Sequence, residues 1–108
     1  MLGGLGNMGK LMKKAQEFQK KMKAMQSDLA DRVVEGTSGG GMVTAQVNGQ
    51  QEIISVRINP EAVDPEDVDM LEDLVTTALA QALKKSKELS DGEMKKLTGD
   101  MGLPPGLL

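Results

Sequence analysis

Cysteine and histidine are both missing from the 108-residue sequence. Without cysteine there are no disulfides and no thiolate chemistry, and without histidine the commonest general base and metal ligand is gone. Phe18 is the only aromatic residue, so the bases of a single-stranded nucleic acid have no stacking surface. No apolar run approaches the roughly 20 residues that span a bilayer, and the N-terminal sequence lacks the apolar core of a secretory signal. These absences favour a soluble intracellular protein that is not an enzyme and needs no cofactor, metal or small-molecule substrate.

The length and composition predict one domain over residues 1–108. Apolar residues make up 39% of the chain, and a core without large aromatic side chains is thin for this size. Small domains bury a modest share of their surface, so self-association is expected to add to the stability of the fold. The glycine-rich residues 1–6 and the irregular residues 101–108 are expected to be flexible tails.

Apolar residues spaced three and four apart predict a long first helix, with Asn7 as its N-cap and its end near Asp31. They define a seam of heptad period, consisting of Met8, Leu11, Ala15, Phe18, Met22, Met25 and Leu29. Such a helix is about 35 Å long, whereas a short sheet is only about 20 Å along its strands. Part of the seam therefore needs another surface, and pairing across a dimer is the simplest one.

Residues 33–60 predict three strands that form a small antiparallel sheet with one apolar face. Asn48-Gly49 is typical of a two-residue hairpin turn, which would pair Val43 with Ile54. Asp64 and Pro65 then indicate the start of a second long helix, with Asp64 as the N-cap. A break or kink is expected near residues 90–92. The predicted fold class is α+β, in the order helix, three strands, helix.

Charge is unevenly distributed along this acidic chain, whose formal net charge is -3. Residues 1–27 contain six lysines and one glutamate, whereas residues 61–73 contain seven acids and no base. The acids are more simply explained by the start of the second helix than by a metal site. The lysines are either a solvated helix face or a surface for phosphates, which bind such surfaces by releasing counterions. An anionic membrane is a weaker alternative, because a dimer would bury the apolar face that enters lipid.

Four segments together resemble the YbaB/EbfC family of bacterial nucleoid-associated proteins. They are "LMKKAQEFQKKMKAMQ", "VNGQQEIISVRINP", "MLEDLVTTALAQALKK" and the tail "MGLPPGLL". The resemblance covers nearly the whole chain in order, and "LEDLV" combined with "LPPG" is its most specific part.

This resemblance implies α-β-β-β-α subunits in an intertwined, tweezer-like homodimer. It also implies a cytoplasmic, nucleoid-associated protein that binds duplex DNA through helical arms and organises the nucleoid or regulates genes. The lysines at matching positions are Lys10, Lys13, Lys14, Lys20, Lys21 and Lys23, with Lys84, Lys85, Lys87, Lys95 and Lys96 less directly matched. The alternative is an adaptor that binds protein partners through the Met-rich seam or the apolar tail, without contacting DNA.

Overall fold

A three-stranded antiparallel sheet packs against the second of two long helices in a computed structural model that describes residues 2–102, with side chains from Asn7 onward. The elements are α1 (Leu2–Asp31), β1 (Val33–Ser38), β2 (Val43–Asn48), β3 (Ile53–Ile58), a 3-10 turn (Pro60–Ala62) and α2 (Val68–Asp100). The strand order is β1-β2-β3, so β2 is central. The predicted α+β class and element order are confirmed.

Helix α1 begins at Leu2, so the expected start at Met8 is wrong and Asn7 lies inside the helix instead of capping it. The first turns contain glycine but no proline. Glycine costs a helix about 1 kcal/mol, whereas only proline removes the backbone donor. The helix ends at Asp31, as predicted.

The structure describes part of each expected tail. Residues 2–6 belong to α1, and Met101 is the buried C-cap of α2. Gly102 follows with a φ of +69°, the left-handed conformation with which glycine often ends a helix. Residues 103–108 lie outside the described part of the chain.

The β2–β3 connection is longer than the predicted two-residue turn. Val43 pairs with Ile58 and Ala45 with Val56, so the expected pairing of Val43 with Ile54 is wrong. The shift is four residues, an even number, so Val56 and Ile58 stay on the same face as Val43. Ile54 is the extra residue of a bulge, because Gln46 pairs with Ser55 and Val47 with Ile53.

Asn48 explains why the connection is longer. Its Oδ1 accepts hydrogen bonds from the backbone N–H of Gln50 at 2.9 Å and of Glu52 at 3.0 Å. The Gly49 N–H donates to carbonyls of α1 and the residue after it, Leu29 at 2.8 Å and Arg32 at 2.9 Å. The turn is therefore built around α1, a tertiary contact that a hairpin rule does not include.

Helix α2 packs on β1 and β2, and the core lies between them. The fully buried residues of this core are Val43, Ala45 and Val47 of β2 and Ala78 and Ala82 of α2. Gly36 is the point where β1 comes closest to α2, because a Cβ atom there would lie 2.5 Å from the Ala82 backbone nitrogen. Small residues on both elements thus bring the strand and the helix into backbone contact.

The start of α2 is three residues later than predicted. Asp67 is the N-cap and accepts a hydrogen bond from the Met70 N–H at 3.3 Å. Asp64 instead stabilises the preceding turn by accepting a hydrogen bond from the Glu66 N–H at 2.9 Å. The expected break at residues 90–92 is also wrong, because α2 continues without interruption to Asp100. Gly92 costs the helix about 1 kcal/mol, which is too little to end a helix held at both ends.

Candidate nucleic-acid interface

Both long helices leave the sheet at the β2–β3 turn. On one side of this turn the Leu29 carbonyl accepts the Gly49 N–H. On the other side the buried Ser86 hydroxyl donates to the Asn48 carbonyl at 2.6 Å and accepts the Gln51 N–H at 3.1 Å. From this turn, α1, followed toward its N-terminus, and the C-terminal end of α2 extend beyond the sheet. We call this projection the arm, and the sheet with the part of α2 that packs on it the body.

The two helices of the arm are antiparallel. Arg32, directly after α1, lies 3.1 Å from the carboxylate of Glu93 in α2, and the helices contact each other. On α1, Phe18, Met22 and Met25 are half-buried and Leu29 is buried. On α2, the covered residues at matching intervals are Ser90, Glu93, Leu97 and Met101. The covered part of α1 therefore ends at Phe18, opposite the end of α2 at Met101.

The length of the molecule agrees with this alignment. The 33 residues of α2 span about 50 Å and residues 2–18 of α1 another 24 Å or so at 1.5 Å per residue. Their sum is close to the 77 Å long dimension of the structure. The remaining dimensions are only 22 and 16 Å, so the arm extends along the axis of the body. Residues 7–17 of α1 lie beyond the end of α2 and are exposed.

The seven predicted seam residues thus divide into two groups. Four of them, from Phe18 to Leu29, are at least partly covered within the chain. The other three, Met8, Leu11 and Ala15, are exposed, and Leu11 keeps 65% of its surface. Sequence periodicity identifies both groups as apolar, but it does not distinguish the covered group from the exposed one.

All six predicted lysines of α1 are exposed on the arm. At 100° per residue, Lys13 and Lys20 lie opposite the seam, while Lys10, Lys14 and Lys21 lie beside it. An open concave surface is lined by Asn7, Lys10, Leu11, Lys13, Lys14 and Glu17. The lysines at these positions surround the arm with positive charge.

The three predicted lysines of α2 lie where this helix leaves the sheet, and all are exposed. Lys85 already makes a contact within the same chain, because its Nζ donates a hydrogen bond to the Glu35 carbonyl of β1 at 2.8 Å. Lys84 and Lys87 lie on either side of it. The structure therefore places the α1 lysines and the α2 lysines in two groups along one axis.

The acidic segment, residues 61–73, is at the far end of the body. Asp69 is in the first turn of α2, and 17 helical residues, about 26 Å, separate it from Ser86 at the base of the arm. This distance is about three times the Debye length of about 8 Å at physiological ionic strength. The acids therefore do not neutralise the lysines of the arm, although they make the whole chain negative.

An ion pair joins the two helices at the base of the arm. Arg32 bonds to the Glu93 carboxylate, and Lys96 Nζ lies 3.4 Å from the same oxygen. The hydrogen bond from Arg32 holds the pKa of Glu93 below its ordinary value, with Lys96 acting in the same direction and partial desolvation opposing both. Sequence reasoning missed this pair, since its two members lie 61 residues apart.

The described residues show neither an obvious metal centre nor a membrane span. Among residues 2–102, no group of three or more Asp or Glu side chains is arranged to hold a metal ion. Within the same range, neither helix is long and apolar enough to cross a bilayer.

The family model described as the YbaB/EbfC DNA-binding family matches residues 4–101. The chain belongs to this family. A nucleoid-associated protein of Clostridium kluyveri is 55% identical over 102 residues, which cover 94% of this chain and 90% of that protein. A nucleoid-associated protein of Bacillus thuringiensis is 49% identical over 107 residues, which cover 99% and 98%.

A solved structure shows the same YbaB/EbfC fold. The crystal structure of the uncharacterized protein HP0035 from Helicobacter pylori superposes with a TM-score of 0.61 at 23% identity. The match covers 81% of this chain and 96% of that one. At this identity the likeness supports the fold, and the family assignment rests on the sequence matches.

Proposed function

We propose that this protein is a homodimeric, nucleoid-associated protein that binds duplex DNA through phosphate contacts from the arm, and so organises the nucleoid or regulates genes. The observation that carries the proposal is the position of the lysines. Six of them are exposed on a helix that projects beyond the body, and the acidic segment lies at the opposite end. The relatives named nucleoid-associated proteins support the same location in the cell.

Phosphate contacts fit the residue types of the arm better than base reading does. Lysine is a flexible point charge that binds phosphate without fixed geometry. Reading a base edge favours a planar side chain such as arginine, and α1 contains no arginine. We therefore expect tight binding at low salt with weak sequence preference.

The exposed apolar residues of β3 support the homodimer. Ile53, Ile54, Val56 and Ile58 are all exposed in the single chain, and so are Val63, Val68 and Met70 on the segment that follows. Strand β3 is also an edge strand, whose outer backbone groups can pair with another strand. A contiguous apolar surface on an edge strand marks an interaction site, and a second copy covers it while leaving the arms free.

A salt titration with duplex DNA tests the DNA-binding half of this proposal. Replacing Lys13, Lys14, Lys20 and Lys21 by glutamate should abolish binding while the circular dichroism spectrum stays unchanged. The matched control replaces the same four residues by arginine, which keeps the charge and should keep the affinity. A DNA affinity that does not change with salt concentration would contradict the proposal, and so would a glutamate variant that binds as tightly as the control.

Sedimentation tests the dimer separately. Ile58→Glu places a charge on the proposed β3 interface and should shift the protein to monomers. Val33→Glu is the control, because Val33 is a similarly exposed apolar residue on the other edge strand. If the wild-type chain sediments as a monomer, or if both variants stay dimeric, the β3 interface is wrong.

The adaptor function remains the second candidate because the free end of α1 exposes Met8, Leu11 and Met12. Methionine-rich surfaces adapt to different protein partners. A pull-down after nuclease treatment separates the two functions. Protein partners that persist without nucleic acid and depend on these three residues favour the adaptor, whereas partners that disappear favour DNA binding.

A further inference from the structure

The two edges of the sheet differ in what lies beside them. Along β1, the Nζ of Lys85 donates to the Glu35 carbonyl at 2.8 Å, and the Oε1 of Gln81 accepts the Thr37 N–H at 2.6 Å. Glu35 and Thr37 are alternate residues of an edge strand, so their backbone groups point the same way, to the side that β2 does not take. Two side chains of α2 therefore occupy positions that a further strand would use.

The spacing of the two elements makes this contact regular. Gln81 and Lys85 are four helical residues apart, a rise of about 6 Å. Glu35 and Thr37 are two strand residues apart, about 6.8 Å. Gly36, between these two strand residues, is where α2 comes closest to β1. One turn of α2 therefore matches one repeat of the β1 edge.

The β3 edge has no such cover. Alternate residues of an antiparallel strand bond to the same neighbour, so the register places the backbone groups of Val56 and Ile58 on the outer side of β3. The described residues place no helix along that side, because α2 packs on β1 and β2. Val56 and Ile58 keep 37% and 40% of their surface. The sheet thus has one edge occupied by its own helix and one edge open.

We propose that Gln81 and Lys85 close the β1 edge to strand addition, so that assembly through β3 stops at two copies. The inference rests on the β3 homodimer proposed above. With both edges open, β3 of one copy could pair with β1 of the next, and such head-to-tail contacts continue without limit unless they close into a ring. With β1 closed, the open β3 edge pairs with the β3 edge of a second copy, which leaves no open edge on either chain.

The residue types suit this role. Glutamine supplies an acceptor for an N–H and lysine a donor for a carbonyl, so both backbone groups of the β1 edge keep a partner. A lysine beside an edge also places a charge where an incoming strand would lie. Gln81 and Lys85 are both exposed, so their side chains serve the edge and do not fill the core.

Hydrogen exchange in dilute solution tests the closure within one chain. The Thr37 amide should exchange slowly for an edge position, because its N–H is bonded to Gln81. Gln81→Ala should speed exchange at Thr37 at least about tenfold, while the amide of Ala45 in the central strand keeps its rate. An unchanged rate at Thr37 would overturn the closure, whether or not the chain forms a dimer.

Sedimentation tests the consequence for assembly. Gln81→Ala with Lys85→Ala opens the β1 edge and should give species larger than a dimer, which grow with protein concentration while the circular dichroism spectrum stays helical. The matched control is Thr77→Ala with Lys84→Ala, which also removes one lysine and one neutral polar side chain from exposed positions of α2 and should remain a dimer. Gln81→Glu with Lys85→Arg keeps an acceptor and a donor at the edge and should remain a dimer too.

The outcomes separate the closure from the homodimer on which it rests. An opened variant that stays a dimer would overturn the closure and leave the β3 interface intact. Equal growth of the control would also overturn it, because the loss of exposed polar side chains would then explain the association. A wild-type monomer would overturn the homodimer and the limit of two copies, while exchange at Thr37 still decides whether the edge is closed.

Discussion

The two long helices of this protein are similar in length but differ in what covers them. In the body, α2 presents Ala78, Ala82 and Ser86 to the sheet, and all three are fully buried. In the arm, residues 7–17 of α1 present methionine, leucine and lysine to solvent. Small side chains permit backbone contact and a fixed geometry, whereas long side chains extend outward and adapt. The body therefore sets the fold, and the arm is available for binding.

The largest expected effect is on the contact between β1 and α2. Gly36→Ala places a Cβ against the backbone of Ala78 and Ala82, with the nearest atom of Ala82 at 2.5 Å. Backbone atoms do not move aside as a side chain does, so the free energy of unfolding should fall by about 3 kcal/mol or more. Urea denaturation measures the change.

Gly9→Ala is the control for this substitution in the arm. A Cβ at Gly9 meets no atom within 4 Å, and alanine favours the helix by up to about 1 kcal/mol. The two glycine variants should therefore change stability in opposite directions. Similar destabilisation of both would mean that the close contact in the body is not what holds β1 to α2.

The next largest effect concerns DNA affinity, which we expect to depend on arm lysines more than on body lysines. Lys13→Gln with Lys20→Gln removes two phosphate contacts, so the slope of log K against log salt should decrease in magnitude by about 1.8. Lys85→Gln should change the slope little, because the Nζ of Lys85 bonds to the Glu35 carbonyl. A larger change for Lys85→Gln than for the arm pair would move the proposed interface to the body.

A smaller effect is expected at the base of the arm. Ser86→Ala removes the hydroxyl that bonds to the Asn48 carbonyl and the Gln51 N–H. Leaving the carbonyl of the buried Asn48 unpaired should cost about 1–3 kcal/mol in the free energy of unfolding. Ser90→Ala, one turn later and only half-buried, should cost less than Ser86→Ala. Equal losses for the two variants would show that the turn does not depend on Ser86.

The smallest effect is the pH dependence of the Arg32–Glu93 ion pair. Because the folded-state pKa of Glu93 is lowered from its ordinary value of 4.5, the pair stabilises the fold at pH values above 4.5. This contribution is lost as the pH falls below that value through the lowered pKa. Glu93→Gln should therefore be less stable than wild type at neutral pH, with the difference shrinking in acid.

Thermal unfolding from pH 7 to pH 3 measures this dependence. Asp91→Asn is the control, because Asp91 is an exposed acid in the same helix and such groups contribute little to stability. A difference between wild type and Glu93→Gln that does not change with pH would contradict the role of the charge.

Local patterns were sufficient to predict the elements of the fold. The heptad spacing identified α1 and its end at Asp31, and alternating valines identified β2. Both patterns depend on residues that are close together in sequence, where the helix and strand periods apply directly. The lysines of α1 were equally visible, because exposed charge on a helix needs no tertiary information.

The errors lie where a distant residue determines the local geometry. The Asn48-Gly49 pair has the sequence of a tight hairpin, but the contacts of Gly49 with α1 give a longer turn. Asp64 and Asp67 are both plausible caps, and the structure uses the second one. Gly92 suggested a break, yet α2 remains helical because its two halves pack on different partners.

The sequence by itself determined the family, the order of helices and strands, and the separation of basic from acidic segments. Only the tertiary structure decided which residues of the α1 seam are covered and that the apolar residues of β3 are left exposed. It also decided that the acids lie far enough from the arm to leave its charge intact. The physical reason is that periodicity specifies which side of an element is apolar, whereas burial depends on the length and direction of the neighbouring element. Here α2 ends at Met101, so the seam is covered to Phe18 and exposed beyond it.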